Sequence, residues 1–253
     1  MYFDSHAHLD SDCFDADRAE ILADLENHQV SYVMNVGCDL ASSEASVSLA
    51  EKYPCVYAAV GSHPDDADRL TDETLARYRE LCKNPRVRAI GEIGLDYHYE
   101  DVPREIQKQA FVRQLELAEA LCLPVIVHQR DAQEDAMEII RKYPNICGVF
   151  HCFSGSAEFA QWLTARGWYI GFTGVVTFKN ARRPLEVVRA LPMDRIVIET
   201  DCPYMSPEPY RGRRNDSRFV PYVGRKIAEI RGMSAEEVAA QTTENAKRLF
   251  GIL

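Results

Sequence analysis

The stretch VRAIGEIGLDYHYEDVPREIQKQAFVRQLELAEALCLPVIVH, residues 87–128, decides the fold. It opens on a short apolar run, Val87–Glu92, and closes on a second, Pro124–His128. Between them the residues from Arg104 to Cys122 carry a helical period. Phe111, Leu115, Ala118 and Cys122 fall on one face at spacings of 4, 3 and 4. Strand, helix and strand in this order form one βαβ unit.

The same rhythm extends in both directions. Comparable runs occur at Tyr2–His6, Ser31–Val36, Val56–Gly61, Ile146–His151, Trp168–Phe172 and Arg195–Asp201, which makes eight in all. Their starts lie 22 to 37 residues apart, near the ~30 residues of a βαβ unit. Helical patterns fill the gaps, and Ser234-Ala-Glu-Glu237 reads as a capping box opening the last helix. Eightfold alternation predicts an α/β protein with a (β/α)8 barrel, a single domain over 1–253. An open doubly wound sheet is the rival architecture, but no G-x-G-x-x-G or Walker sequence supports a nucleotide fold.

Composition agrees with a folded enzyme-sized domain. The 253 residues include 46% hydrophobic side chains, too many for a disordered chain. Twenty-nine basic against 39 acidic residues leave a net charge of −10, which argues against a general coat for duplex DNA. No apolar run approaches the ~20 residues of a membrane span. The opening MYFDSHAHLD lacks the layout of a signal peptide. The eight cysteines are scattered without a C-x-x-C pair, so a cytoplasmic protein with reduced thiols is expected.

In barrels of this kind the chemistry sits at the carboxyl ends of the strands. His6 and His8 end the first run, and residues i and i+2 of a strand share a face, so both imidazoles can grip one cation. Glu92, His128, His151 and Asp201 end the fourth, fifth, sixth and eighth runs. Four imidazoles and two carboxylates facing one poorly hydrated space conflict unless positive charge sits among them. Six ligands exceed the four of one tetrahedral zinc, which predicts two divalent cations per chain, with Glu92 as the bridge. Zn, Mn, Fe or Co suits the nitrogen-rich ligation, and a carboxylate-rich half can take Mg. Cys152 and Cys202 follow ligands directly, and strand alternation reads them as small core residues rather than thiolate ligands.

At these residues the chain resembles the TatD family of metal-dependent hydrolases, often called TatD-type deoxyribonucleases. The resemblance runs nearly end to end. It is carried by Asp4-Ser-His-Ala-His-Leu-Asp10, His63-Pro64, Gly91-Glu-Ile-Gly-Leu-Asp96, Val127-His128, His151-Cys-Phe-Ser-Gly155, Glu199-Thr-Asp-Cys-Pro203, Tyr210-Arg-Gly-Arg-Arg-Asn215 and Thr243-Glu-Asn-Ala246. It implies an amidohydrolase-type barrel that cuts phosphodiester bonds, often as a 3′-exonuclease on DNA. It implies further that His6, His8 and Asp201 hold one metal, that His128 and His151 hold the second, and that Glu92 bridges. Many relatives carry H-P-H where this chain has His63-Pro-Asp65, so the resemblance does not carry over any contact made by that second histidine.

The expected mechanism is attack on phosphorus by a hydroxide held by the cations, with Glu92 and Asp201 as the catalytic carboxylates and Asp201 taking the water's proton. Glu199 and Asp4 each lie two residues upstream of a ligand. Either they orient a ligand or water from behind, or they are buried structural acids. Substrate grip is assigned to His63, Tyr204, Arg211 and Arg213. The segment 204–218 holds Arg211, Arg213, Arg214 and Arg218 against Glu208 and Asp216, and Lys179, Arg182 and Arg183 follow the seventh run. Arginine suits phosphate, and Tyr204 and Tyr210 can stack on unpaired bases. A strand end or short single-stranded oligonucleotide is the expected partner, with no obligate protein partner and a monomeric chain. The enzymatic rival is hydrolysis of a C–N or C–O bond in a small molecule. The non-enzymatic rival is a metal-stabilised interaction module. His28 and His98 lie away from the strand ends and receive no role.

Overall fold

The computed structural model describes residues 1–99 and 101–252. Its strands are β1 (Tyr2–Ala7), β2 (Val30–Val36), β3 (Val56–Val60), β4 (Val87–Asp96), β5 (Val125–Arg130), β6 (Gly148–Phe150), β7 (Tyr169–Phe172) and β8 (Ile196–Ile198). They form an eight-stranded sheet whose order repeats the order of the chain. The helices are α1 (Arg18–Ala23), α2 (Leu40–Lys52), α3 (Asp72–Leu81), α4 (Arg104–Leu121), α5 (Gln133–Ile140), α6 (Ala157–Thr164), α7 (Arg182–Ala190), α8 (Val220–Arg231) and α9 (Ala235–Phe250). Parallel strands in chain order, with helices in the connections, define the (β/α)8 barrel class.

The chain divides into two compact units. The first comprises Met1–Asn35 and Cys152–Leu253. In it β7 pairs with β8, Ile170 opposite Ile196, and β1 pairs with β2, Tyr2 opposite Val30. A parallel bridge joins Ala7 to Cys202. Around that bridge the Asp201 N–H donates to the His6 carbonyl and the His8 N–H to the Cys202 carbonyl, each at 2.9 Å. All six residues of β1 are buried. The capping box of α9 is present, with Ser234 accepting from the Glu237 N–H at 3.1 Å and Glu237 accepting from the Ser234 N–H at 2.8 Å.

The second unit is Val36–His151, with β3, β4, β5 and β6 paired in parallel. Phe111, Leu115 and Ala118 of α4 are fully buried. Each of the two larger side chains is worth about 1.5–3 kcal/mol relative to exposure. Cys122, the expected fourth member of that face, is exposed because a left-handed residue at φ 53° ends the helix there. Two buried glutamines tie α4 to the strand ends. Gln107 accepts from the Asp96 N–H and donates to the Asp96 carbonyl, both at 2.8 Å, and Gln114 does the same for Ser62 at 2.7 and 3.0 Å.

Strand ends differ from expectation where ligands were placed. β4 continues past Glu92 to Asp96, so Glu92 lies inside the strand, and β5 continues past His128 to Arg130. Continued pairing of Gly94 with His128 and of Asp96 with Arg130 sustains both extensions. β8 stops at Ile198, and Asp201 lies beyond it at φ 56°, a left-handed geometry that Asp tolerates. Cys152 also lies beyond its strand, at φ 42°, so alternation does not govern its direction. Its thiol stands 3.7 Å from the Thr173 hydroxyl. None of the described helices is long and apolar enough to cross a membrane.

Gly94 makes the long β4–β5 pairing possible. Its φ is 142°, and a Cβ there would lie 2.0 Å from the His128 carbonyl oxygen. Gly94→Ala is expected to cost about 2 kcal/mol or more, through backbone strain and displacement of β5. For a chain this long that lowers Tm by roughly 4–8 °C. Scanning calorimetry checks it, and a shift below about 1 °C contradicts this account of the strand pair.

Candidate metal centre

In the first unit β1 presents His6, the residue just past its end presents His8, and the turn after β8 presents Asp201. The two Nε2 atoms lie 3.0 Å apart, and each faces Asp201 Oδ1, at 3.7 Å from His6 and 3.5 Å from His8. All three ligand atoms fall within 4.8 Å of one another. Ligands bonded at about 2.1 Å in tetrahedral or octahedral geometry stand roughly 3.0–3.4 Å apart. The donor set therefore fits a divalent cation in spacing and in chemistry.

What aims Asp201 is a buried network beneath it. Asp4 Oδ1 accepts from the Thr200 N–H at 2.8 Å and Oδ2 from the Thr200 hydroxyl at 2.6 Å. The Thr200 hydroxyl accepts in turn from the Cys202 N–H at 3.3 Å. Burial pushes the Asp4 carboxyl up to about 7, against the hydrogen bonds from Thr200 that favour its anion. Asn215, fully buried, donates to the carbonyls of Thr200 at 2.9 Å and Tyr204 at 2.6 Å. It brackets the turn that carries Asp201. Glu199 lies behind the strand ends, accepting from the Cys152 N–H at 2.5 Å and the Ser5 hydroxyl at 3.1 Å. Burial raises its carboxyl well above the usual range. Gly171 leaves it room, since a Cβ there would stand 2.5 Å from Glu199 Oε2.

The second unit holds its own cluster around Glu92. Oε1 lies 2.7 Å from His151 Nε2, 3.0 Å from His128 Nδ1 and 3.7 Å from His63 Nε2. His128 Nδ1 and His151 Nε2 are 3.2 Å apart, again the spacing of ligands on one ion. The other nitrogen of His128 faces Asp96 Oδ2 at 2.9 Å. A carboxylate behind a histidine fixes the ring and the tautomer that a cation needs. Burial opposes the His128 cation, but the hydrogen bonds to Asp96 and Glu92 outweigh it and hold the imidazole up to about 9. The same contact, with the His98 N–H, takes Asp96 below the usual range although burial pushes it upward.

His63, expected on substrate, joins this cluster, its ring 4.4 Å from that of His128. Its Nδ1 lies 3.4 Å from Asp65, and this hydrogen bond lowers the Asp65 carboxyl. Asp96 was missed as a site residue, although it shares a face of β4 with Glu92 at an even spacing. Cys38, with Sγ 3.6 Å from Glu92 Oε2, carries no sequence signal, and neither does the bracketing by Asn215.

The basic segment divides in two. Arg214 is paired with Asp17 and stacked over Phe14 at 4.6 Å. Arg218 is paired with Asp216 at 2.9 Å and Asp24 at 3.2 Å. Arg214 is committed to a distant acid and Arg218 to one neighbouring and one distant acid, so the charge expected of the whole segment narrows to Arg211 and Arg213. Among the described residues neither has an ion pair, and Arg211 lies 4.3 Å over Phe178. Tyr204 is 64% exposed. Tyr210 is not available for a base, because it stacks on Phe219 at 4.4 Å and shares a hydrogen bond with Tyr222 at 3.1 Å.

Imidazole–carboxylate clusters at the strand ends of a (β/α)8 chain define a metal-dependent hydrolase, and comparison with known proteins agrees. Residues 3–251 match the family model described as TatD related DNase. The chain is 45% identical, over the whole of both chains, to the uncharacterized metal-dependent hydrolase YabD of Bacillus subtilis. It is 35% identical to the 3′-5′ ssDNA/RNA exonuclease TatD of Erwinia tasmaniensis, across 99% of this chain and 100% of that one. The crystal structure of YJJV, a TatD homolog from Escherichia coli, superposes with a TM-score of 0.94 at 28% identity, covering 100% of this chain and 98% of that one. The chain belongs to the TatD family of metal-dependent hydrolases.

Two outcomes follow from the geometry. Asn215→Ala frees the turn that carries Asp201 and should weaken Zn²⁺ binding at His6, His8 and Asp201 by about 10–100-fold, while binding at the Glu92 cluster holds. Isothermal titration reads both, and unchanged affinity at the first cluster contradicts the bracketing role. At the Glu92 cluster a cation must displace the proton that His128 holds up to about 9. Affinity there should climb as pH rises from 6 and level off above about 9, with proton uptake by the buffer accompanying each ion bound. A pH-independent affinity over that window contradicts the assignment.

Proposed function

We propose that this chain hydrolyses phosphodiester bonds of single-stranded DNA or RNA, removing nucleotides from a 3′ end. The observation that carries the reading is the segment directly following Asp201. It carries an exposed Tyr204 and two arginines, Arg211 and Arg213, that form no ion pair among the described residues. Arginine binds phosphate through paired hydrogen bonds, and an exposed phenol ring stacks on any base. Relatives that bear the name 3′-5′ ssDNA/RNA exonuclease support the same substrate class.

In this reading two divalent cations are the cofactors, one held by His6, His8 and Asp201 and one by Glu92, His128 and His151. When bound, such cations polarise a phosphoryl oxygen and acidify water near neutral pH. The chain's own residues do the rest. Asp96 fixes His128 with Nδ1 forward. Asp4, Thr200 and Asn215 hold Asp201 where its carboxylate can accept the proton of the attacking water. His63 completes the Glu92 cluster. Arg211 and Arg213 hold phosphates, and Tyr204 holds a base.

The test is a time course on a single-stranded oligonucleotide labelled at its 5′ end. Chelation should abolish cleavage, and Mg²⁺, Mn²⁺ or Zn²⁺ should restore a ladder that shortens from the 3′ end. Glu92→Gln and Asp201→Asn should each lower kcat on the order of a thousandfold. Turnover of a lactone or cyclic amide with the oligonucleotide left intact would overturn the reading.

A further inference from the structure

The chain leaves β4 directly after Asp96, the acid that holds His128. Tyr97, Tyr99, Val102, Pro103 and Arg104 line a cleft of about 170 Å³. That is below the ~300–1,000 Å³ of a pocket for a drug-sized molecule, and suits a single flat ring. Tyr99 is 52% exposed, unusual for so large an apolar side chain in this protein. It is nonetheless held in place. The guanidinium of Arg130 lies 5.2 Å from its ring centroid, and the His98 ring meets it near a right angle at 4.9 Å. Tyr97 is fixed more firmly, its hydroxyl donating to Asp135 at 2.6 Å and its ring covered by Arg104 at 4.4 Å.

The charges around the cleft are sorted by partner. Asp131 is turned to His98 at 3.2 Å, and Lys108 takes Glu105 at 2.5 Å and Asp135 at 3.4 Å. Arg104 and Arg130 have no ion pair among the described residues. Each instead lies over a tyrosine ring, an arrangement that leaves the edge of the guanidinium and its N–H donors for a phosphate. An exposed aromatic ring, an apolar floor and two guanidiniums that close no ion pair among the described residues are the parts of a platform for a single strand. Rings stack on bases regardless of sequence, and arginines take the backbone.

We infer that Tyr99, with Tyr97, Arg104 and Arg130, forms a subsite for one unpaired nucleobase of the substrate and its adjoining phosphate. This rests on the nucleic-acid reading above and adds a contact point within the second unit. It makes the enzyme sensitive to the presence of a base at one position along the strand, but not to which base it is.

The test uses the metal-loaded full-length protein and a set of 5′-labelled (dT)8 oligonucleotides. Each carries one tetrahydrofuran abasic residue at the first, second, third or fourth position from the 3′ end. For the wild type, removing the base at one of these positions should raise KM about tenfold. Tyr99→Ala should raise KM about tenfold on intact (dT)8 but cost nothing further on the oligonucleotide abasic at that position. Tyr99→Phe should behave as the wild type, since stacking needs the ring and not the hydroxyl. The inference fails if Tyr99→Ala loses equally on intact and abasic strands at every position, or if it loses nothing on the intact strand. If the wild type cleaves no oligonucleotide at all, the proposed function has failed, and that outcome is distinct from the other two.

Discussion

Crowded lone pairs are the constraint on which this structure depends. Three imidazole nitrogens and a carboxylate oxygen meet around Glu92, and two imidazole nitrogens meet a carboxylate at Asp201. Nitrogens and oxygens 2.7 to 3.7 Å apart repel unless a proton or a cation sits among them. The chain goes to some length to hold them there. Asp96 anchors one imidazole, Asp4 and Asn215 anchor a turn, and Gln107 anchors the strand end that carries Asp96. A fold optimised for stability alone has no use for such a gathering. A fold that binds divalent cations requires it.

The two units solve this problem with different means. Around Glu92 two members of the cluster, Glu92 and His128, come from the paired strands β4 and β5, whose close approach a glycine permits, while His151 and His63 lie past the ends of β6 and β3. Around Asp201 both His8 and Asp201 lie beyond their strands, and side-chain hydrogen bonds hold the turn that carries Asp201. Removal of one of those bonds should therefore act on Asp201 locally, whereas a disturbed β4–β5 pair should be felt through the second unit.

Much of this was legible in the sequence, for physical reasons. Strand–helix alternation is written in hydrophobic period, so the eight runs could be named from the residues, and His6, His8, Glu92, His128, His151 and Asp201 stood out as candidates, although β4 and β5 run on past Glu92 and His128. Strand ends were less legible, because pairing rather than composition decides where β4 and β8 stop. The roles of charges were the least legible. Arg214 and Arg218 look like phosphate ligands by composition, yet Asp17 and Asp24, almost 200 residues earlier, neutralise them. Tyr210 looks like a stacking ring, yet Phe219 already covers it. Asn215 closes one of the motifs that carry the family resemblance, yet the motif does not show its work, which is done through two backbone carbonyls that only the folded turn brings together.

Anomalous diffraction from crystals soaked in Mn²⁺ or Zn²⁺ tests the central claim most directly. The account predicts density at about 2.0–2.3 Å from His6 Nε2, His8 Nε2 and Asp201, and again from Glu92, His128 Nδ1 and His151 Nε2. Clusters that stay empty at saturating metal, with their imidazoles and carboxylates simply hydrogen-bonded to one another, would contradict it.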